Sequence, residues 1–353
     1  MSKRGHAEPI GDIATPEQVQ KQADIAEAIS RARIGDIHMI TRQCNILAIN
    51  ARIEAGRAGK AGLGFVIIAA EVSALSAAVA RVASEMDSEL STAFESLRRI
   101  GARMAEEVRG QRLIDLALNA IEIMDRNLYE RTCDVRWWAT DAAIVDAAAG
   151  AAPDQLAYAS ARLGVILRAY TVYLDLWLCD TNGKVITHGR PDRYAGVVGA
   201  NVSRESWFID AMAGKSGDDF AAANVALCAA LGGAPVATYA AAVREGGAAD
   251  GRIQGVLGIH FDWGAQADAV VKGVRLNADE LTRTRVLLLD AAGRVIAASD
   301  RACTLEETLH LDHQNRNSGS FRANSGRIIA FHRTPGYETY RGLGWYGALT
   351  QEG

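Results

Sequence analysis

The chain has 353 residues, 49% of them hydrophobic and 23% charged, with a formal net charge of −4. That length accommodates two or three compact units, and the charge balance gives no basis for a nucleic-acid or membrane-surface partner. No run of about 18 apolar residues stands out, so no transmembrane helix is expected. The polar start, Met1 to Pro9, lacks the apolar core of a signal peptide, so the expected location is cytoplasmic. Cys44, Cys133, Cys179, Cys228 and Cys303 show no CxxC spacing and are expected as reduced thiols there.

Residues 1–15 read as a flexible polar tail. Thr15-Pro16-Glu17-Gln18 predicts a helix start, with Thr15 as N-cap, Pro16 at the first helical position and Gln18 completing a capping box. A helix of roughly 40 residues, about 60 Å long, then runs to about Ala55. Apolar residues fall at Ile37, Ile40, Cys44, Leu47 and Ala51, and again at Phe65, Ile68, Val72, Leu75, Val79, Val82 and Met86. Both series step by three and four, the spacing of a coiled-coil seam. Gly56, Gly59, Gly62 and Gly64 between them suit a chain reversal. Residues 16–112 are therefore expected to form an antiparallel coiled-coil hairpin, and a homodimer of it a four-helix bundle. The return helix continues through 102–141.

Strand-type segments follow. Tyr173–Leu178 alternates with period two, Asp180-Thr181-Asn182-Gly183 is a turn, and Lys184–His188 returns. Ser203–Gly214 reads as helix, and Ala234–Glu245 and Arg252–Trp263 as strands. A second set comprises Arg285–Asp290, Gly293–Ser299, Gly319–Ala323, Arg327–Arg333 and Leu343–Gln351. Leu178–Ile186 and Leu288–Ile296 carry the same phrase, an internal repeat about 110 residues apart. The expected fold class is α+β: the hairpin, a long helix, and two PAS-like antiparallel-sheet modules over about 113–270 and 271–353.

Alternation sorts the strand residues by face. Leu257, Ile259, Phe261 and Trp263 suit packing on the long helix, leaving Val256, Gly258, His260 and Asp262 on the other side. Tyr173, Asp175 and Trp177 are expected to join that polar and aromatic side, together with Tyr239 and the loop bearing Arg204 and Trp207. Such a mixture suits a small-molecule pocket.

The turn itself, from Gln43-Cys44-Asn45 through Glu54-Ala55-Gly56-Arg57-Ala58-Gly59 to Gly62-Leu63-Gly64-Phe65, resembles the signalling tip of methyl-accepting chemotaxis proteins over about residues 30–85. The resemblance implies a tip that docks the chemotaxis histidine kinase CheA and the coupling protein CheW, with Asn45, Glu54, Arg57, Phe65 and Ile67 as the contact residues. Three positions depart from the family pattern. Arg42 stands at the usual trimer-forming phenylalanine, Lys60 at the second tip glutamate and Leu63 at the second tip arginine.

Residues 113–353 resemble a double Cache sensor, on the two hydrophobic-Asp-x-x-Gly-x-Val hairpins, Asn201-Val202 before Trp207-Phe208, and Gly255–Ile259. Members that bind amino acids have an arginine two before the tryptophan and an aspartate on the last strand. Glu205 and His260 occupy those positions here. A glutamate repels a carboxylate and histidine is no fixed anion at pH 7, so generic amino acids are not expected. A cation, a purine or amine, or a metal held partly by Glu205 and His260 stays open.

No nucleophile elbow, P-loop, HExxH or dinucleotide fingerprint is present, so neither an enzyme nor a resident cofactor is expected. The favoured reading is a chemoreceptor-like transducer. Its rivals are a non-activating array scaffold or decoy, and a haem- or metal-dependent redox sensor that uses the hairpin only to dimerise.

Overall fold

The computed structural model describes residues 16–301 and 305–352, with side chains from residue 18 onwards. The expected tail, the Thr15 cap with its capping box, and Cys303 lie outside the described residues. Two compact units divide at Arg109 and Gly110.

The first unit is an antiparallel helical hairpin. Helix α1 (Pro16–Arg57) is followed by a 3-10 turn (Gly59–Gly62) and helix α2 (Leu63–Trp138), whose first part belongs to this unit. The buried positions of α1 are Glu27, Ile34, Thr41, Ala48 and Ala55, and those of the turn and of α2 up to residue 100 are Gly62, Ala69, Ser76 and Ala83. Each series advances by seven and mirrors the other about the turn. A strict seven-residue step keeps one line of side chains against the facing helix, and these small residues let the helices approach closely. At the turn the approach is closest: a Cβ on Gly62 would run into the Ala55 carbonyl. Ser73 Oγ donates to Asn45 Oδ1 at 2.7 Å, and Arg98 pairs with Asp24 at 2.8 Å and with Glu27.

This seam differs from the one expected. Ile40, Leu47, Phe65, Ile68, Leu75 and Val82 are exposed on the single chain. Period alone marks an apolar stripe; side-chain size decides which stripe the hairpin closes on. A second expectation is also revised. Helix α2 contains a stretch long and apolar enough, by length and composition, to cross a membrane. Between Leu63 and Ala80 only Glu71 is charged, and alanines and serines had disguised the run.

The second unit is built on the remainder of α2. Leu113, Ala117, Ile121, Met124, Leu128, Val135 and Trp138 form one buried face and share a core with both sheets. Helices α3 (Ala142–Gly150) and α4 (Pro153–Ala169) precede the first sheet. That sheet contains β1 (Tyr173–Asp180), β2 (Val185–His188), β3 (Ala221–Ala222), β4 (Ala226–Cys228), β5 (Ala234–Arg244) and β6 (Ile253–Asp262), with α5 (Ser206–Met212) against it. Its order is β2-β1-β6-β5-β3, with β4 also on β5, all antiparallel. After α6 (Trp263–Gly273) and α7 (Ala278–Arg283) comes the second sheet: β7 (Thr284–Leu289), β8 (Val295–Ala298), β9 (Ser318–Arg322), β10 (Ile328–Arg333) and β11 (Tyr346–Gln351). Its order is β8-β7-β11-β10-β9, again antiparallel.

The sequence repeat is a repeat of atomic detail. Asp180 Oδ1 accepts from the backbone N–H groups of Asn182 and Lys184, each at 2.9 Å; Asp290 Oδ1 accepts from Ala292 and Arg294, each at 2.9 Å. Gly183 and Gly293 follow with φ of 80° and 81°, a conformation that a Cβ opposes. A register shift accompanies both turns, at Leu178/Cys179 and at Leu288/Leu289.

Candidate ligand cavity and signalling tip

Between the outer face of the first sheet, α5 and the 223–230 segment lies a cavity of about 560 Å3, within the range that encloses small ligands. Its wall includes Trp177 from β1, Thr238 from β5, His260 from β6, Glu205 and Trp207 at the start of α5, and Asn224 and Cys228 from the alanine-rich segment. Arg294, from the turn before β8, also lines it.

Asp175 supports this wall from beneath. Its buried carboxylate accepts from Trp177 Nε1 at 3.1 Å, from the Leu176 and Gly189 N–H groups at 2.8 and 3.2 Å, and lies 2.6 Å from His188 Nδ1. The indole and the imidazole are thereby held in one orientation, and no lone pair is left for a ligand to recruit. Trp177 packs on His260 with ring centroids 4.0 Å apart, and Trp207 meets the same imidazole edge-on at 5.8 Å. Trp207 lies over Gly258, where a Cβ would come within 2.9 Å of the indole.

His260 is 2% exposed, and burial pushes its imidazole down to about 4 despite the nearby Asp175 carboxylate. The ring is therefore neutral near pH 7. Its Nδ1 lies 3.1 Å from Thr238 Oγ1, and its Nε2 has no hydrogen-bond partner among the described residues. Burial likewise raises the Cys228 thiol.

Of the residues expected here, Trp177, Glu205, Trp207 and His260 line the cavity, and Asp175 buttresses it. Arg204 is exposed and does not line it. Tyr173 and Tyr239 point the other way, into the core shared with α2. Tyr173 donates to Asp134 on α2 at 2.5 Å, and Tyr239 meets Tyr340 at 3.0 Å. A register shift between Tyr173 and Asp175 breaks the simple alternation, and pairing sets Thr238, not Tyr239, opposite His260. Asp262 caps α6, accepting from the Ala265 N–H at 3.4 Å. Asn201, Asn224, Cys228, Thr238 and Arg294 had not been anticipated. The repeated turn phrase was the one signal pointing towards Arg294.

At the hairpin turn, Glu54 and Arg57 are exposed and form an ion pair of 2.8 Å. Phe65 and Ile67 are 68% and 63% exposed. Asn45 is half-buried through its bond with Ser73. Arg42, Lys60 and Leu63, the three departures, are all exposed.

Residues 8–130 match the methyl-accepting chemotaxis protein (MCP) signalling domain. The chain carries a chemotaxis-receptor signalling region. It is 39% identical over 106 residues to the methyl-accepting chemotaxis citrate transducer of Salmonella typhimurium, covering 28% of this chain and 18% of that protein. It is 37% identical over 87 residues to the methyl-accepting chemotaxis protein CtpM of Pseudomonas aeruginosa, covering 23% and 15%. It is 32% identical over 133 residues to the methyl-accepting chemotaxis protein PcaY of Pseudomonas putida, covering 35% and 25%. The matched stretch thus spans a quarter or less of these relatives. Among solved structures, the chain is similar to the sensor domain of the V. cholerae histidine kinase DctB, with 14% identity, a TM-score of 0.49, and coverage of 65% and 91%. It is also similar to the sensory domain of the Campylobacter jejuni chemoreceptor Tlp3, with 16% identity, a TM-score of 0.48, and coverage of 70% and 94%. Both are distant likenesses.

Proposed function

We propose that the chain is a chemoreceptor-like signal transducer. A small molecule in the cavity of the first sheet module would alter how the hairpin tip regulates CheA, with CheW as coupling protein. The observation that carries this reading is the signalling-domain match over residues 8–130 in a chain whose second compact unit contains a ligand-sized cavity. The second unit is taken as a double Cache-like sensor, a reading supported by the twin Asp180 and Asp290 turns. The contact residues of the tip are Asn45, Glu54, Arg57, Phe65 and Ile67, and no chemical turnover is assigned.

The exposed apolar side chains of the hairpin favour a dimeric four-helix coiled coil. Covering one large aliphatic side chain contributes roughly 1.5–3 kcal/mol, and Ile40, Leu47, Ile68, Leu75 and Val82 all stand uncovered on the single chain. The apolar run of α2 is assigned to this helical contact and not to lipid, because its hairpin partner α1 carries Arg42, Arg52, Glu54 and Arg57. A cytoplasmic location is part of the same proposal. Helix α2 contains residues of both units, so a small slide or rotation of it is the proposed signal.

The test is co-sedimentation of the purified protein with CheA and CheW. Binding by the wild type and its loss in Glu54→Lys are expected; equal binding by Glu54→Lys, or none by the wild type, sinks the docking role.

A further inference from the structure

The charge balance of the cavity narrows the class of molecule it takes. Two of its lining residues are charged, Glu205 and Arg294. Arg294 is already neutralised. Its Nε donates to Asp290 Oδ2 at 2.9 Å, and its terminal nitrogen donates to the Val225 carbonyl at 2.9 Å. Asp290 Oδ2 also accepts from Asn224 at 3.0 Å, so this ion pair is built into the wall and is not directed at a guest. Glu205 differs. Its carboxylate is exposed and makes no side-chain hydrogen bond or ion pair among the described residues. The uncompensated charge on the lining is therefore negative.

The rest of the wall suits a positive guest. Trp177 and Trp207 supply π surfaces, whose quadrupoles attract cations. Between them sits His260, neutral near pH 7, so it does not repel a positive charge. Its Nε2, buried and unpartnered, offers a further polar contact. A carboxylate guest would face Glu205 with no free cation on the lining to offset it.

We propose that this cavity binds a small organic cation of the amine class, with Glu205 as its charge partner and Trp177 and Trp207 as its walls. The assignment rests on reading the cavity as the receptor's ligand site, and it adds the ligand class to that reading.

The experiment is isothermal titration calorimetry on the full chain at pH 7 and low salt, with two matched series of probes. One is butylammonium, butan-1-ol and butyrate. The other is 2-phenylethylammonium, 2-phenylethanol and 3-phenylpropanoate. Each series holds the carbon skeleton nearly constant and changes the charge. At least one ammonium probe should bind roughly tenfold or more tightly than its alcohol and carboxylate counterparts. Glu205→Gln should weaken that binding by a similar factor, and Glu205→Asp should restore part of it. Because Glu205 is exposed and unpaired, these variants are expected to keep the wild-type melting temperature. Equal affinity for ammonium and alcohol overturns the proposal, as does unchanged affinity in Glu205→Gln or no binding by either ammonium probe. Preferential binding of a carboxylate probe overturns the cation class while leaving the cavity as a ligand site. CheA co-sedimentation tests the signalling reading separately.

Discussion

Trp177 is fixed by Asp175: the indole N–H donates to the buried carboxylate two residues earlier at 3.1 Å. The same oxygen lies 2.6 Å from His188 Nδ1, so one side chain sets the cavity wall and ties β1 to the edge strand β2. Asp175→Ala would strand the Leu176 N–H, an indole N–H and an imidazole nitrogen in a dry interior, while the Gly189 N–H keeps the Leu176 carbonyl at 3.1 Å. The expected loss is roughly 3 kcal/mol or more of unfolding free energy, accompanied by a changed near-ultraviolet tryptophan signal. A denaturation midpoint equal to that of the wild type would show that the carboxylate is dispensable.

Gly258 makes room for Trp207. A Cβ there would lie 2.9 Å from the indole, so Gly258→Ala must push the ring towards the cavity or lift α5. Overpacking of this kind costs about 1–3 kcal/mol. Thermal melting and tryptophan emission should both shift, with emission reporting a changed setting for Trp207.

His260 makes stability depend on pH in a defined window. Its folded-state value, about 4, lies below the ordinary imidazole value of 6.5. As pH falls through that interval the unfolded chain takes up a proton that the folded chain refuses, so stability is lost on acidification. The share is on the order of 3 kcal/mol. Chemical denaturation at a series of pH values should give a shallower slope between pH 6.5 and 4 for His260→Gln than for the wild type.

A lower window belongs to Glu280. The Arg112 guanidinium grips its carboxylate at 2.6 and 2.9 Å and, with the Asn277 N–H, holds it at about 2, against an ordinary glutamate value of 4.5. This contribution is complete above about pH 4.5 and disappears as pH falls towards 2. Arg112→Gln should flatten acid unfolding in that range; a superimposable acid curve would argue that the pair adds nothing to stability.

Gly62 closes the hairpin. Since a Cβ at this position would strike the Ala55 carbonyl, Gly62→Ala must open the turn, where backbone cannot yield as a flexible side chain would. Helicity followed by circular dichroism should fall at a lower temperature in the variant, and the proposed docking of CheA should weaken with it.

Elements and turns were legible because each has a local cause. Helix α1 follows from an uninterrupted three-four spacing, β1 and β6 from alternation, and the twin turns from Asp180 and Asp290 with a glycine three residues on. Faces were legible only where alternation was unbroken. It placed Trp177 and His260 at one cavity but misassigned Tyr173 and Tyr239, because a bulge and a strand register are properties of pairs of strands. Helical period identified an apolar stripe on the hairpin, yet close packing chose the line of Ala48, Ala55, Ala69 and Ala83. Alanine carries almost no positional preference, so the segment from Ala223 to Ala230 gave no sign that it would wall the cavity. Local chemistry is written residue by residue along the chain. Which faces meet, and which charge is left without a partner, depends on distances between residues that are far apart in sequence, and those are set when the chain packs.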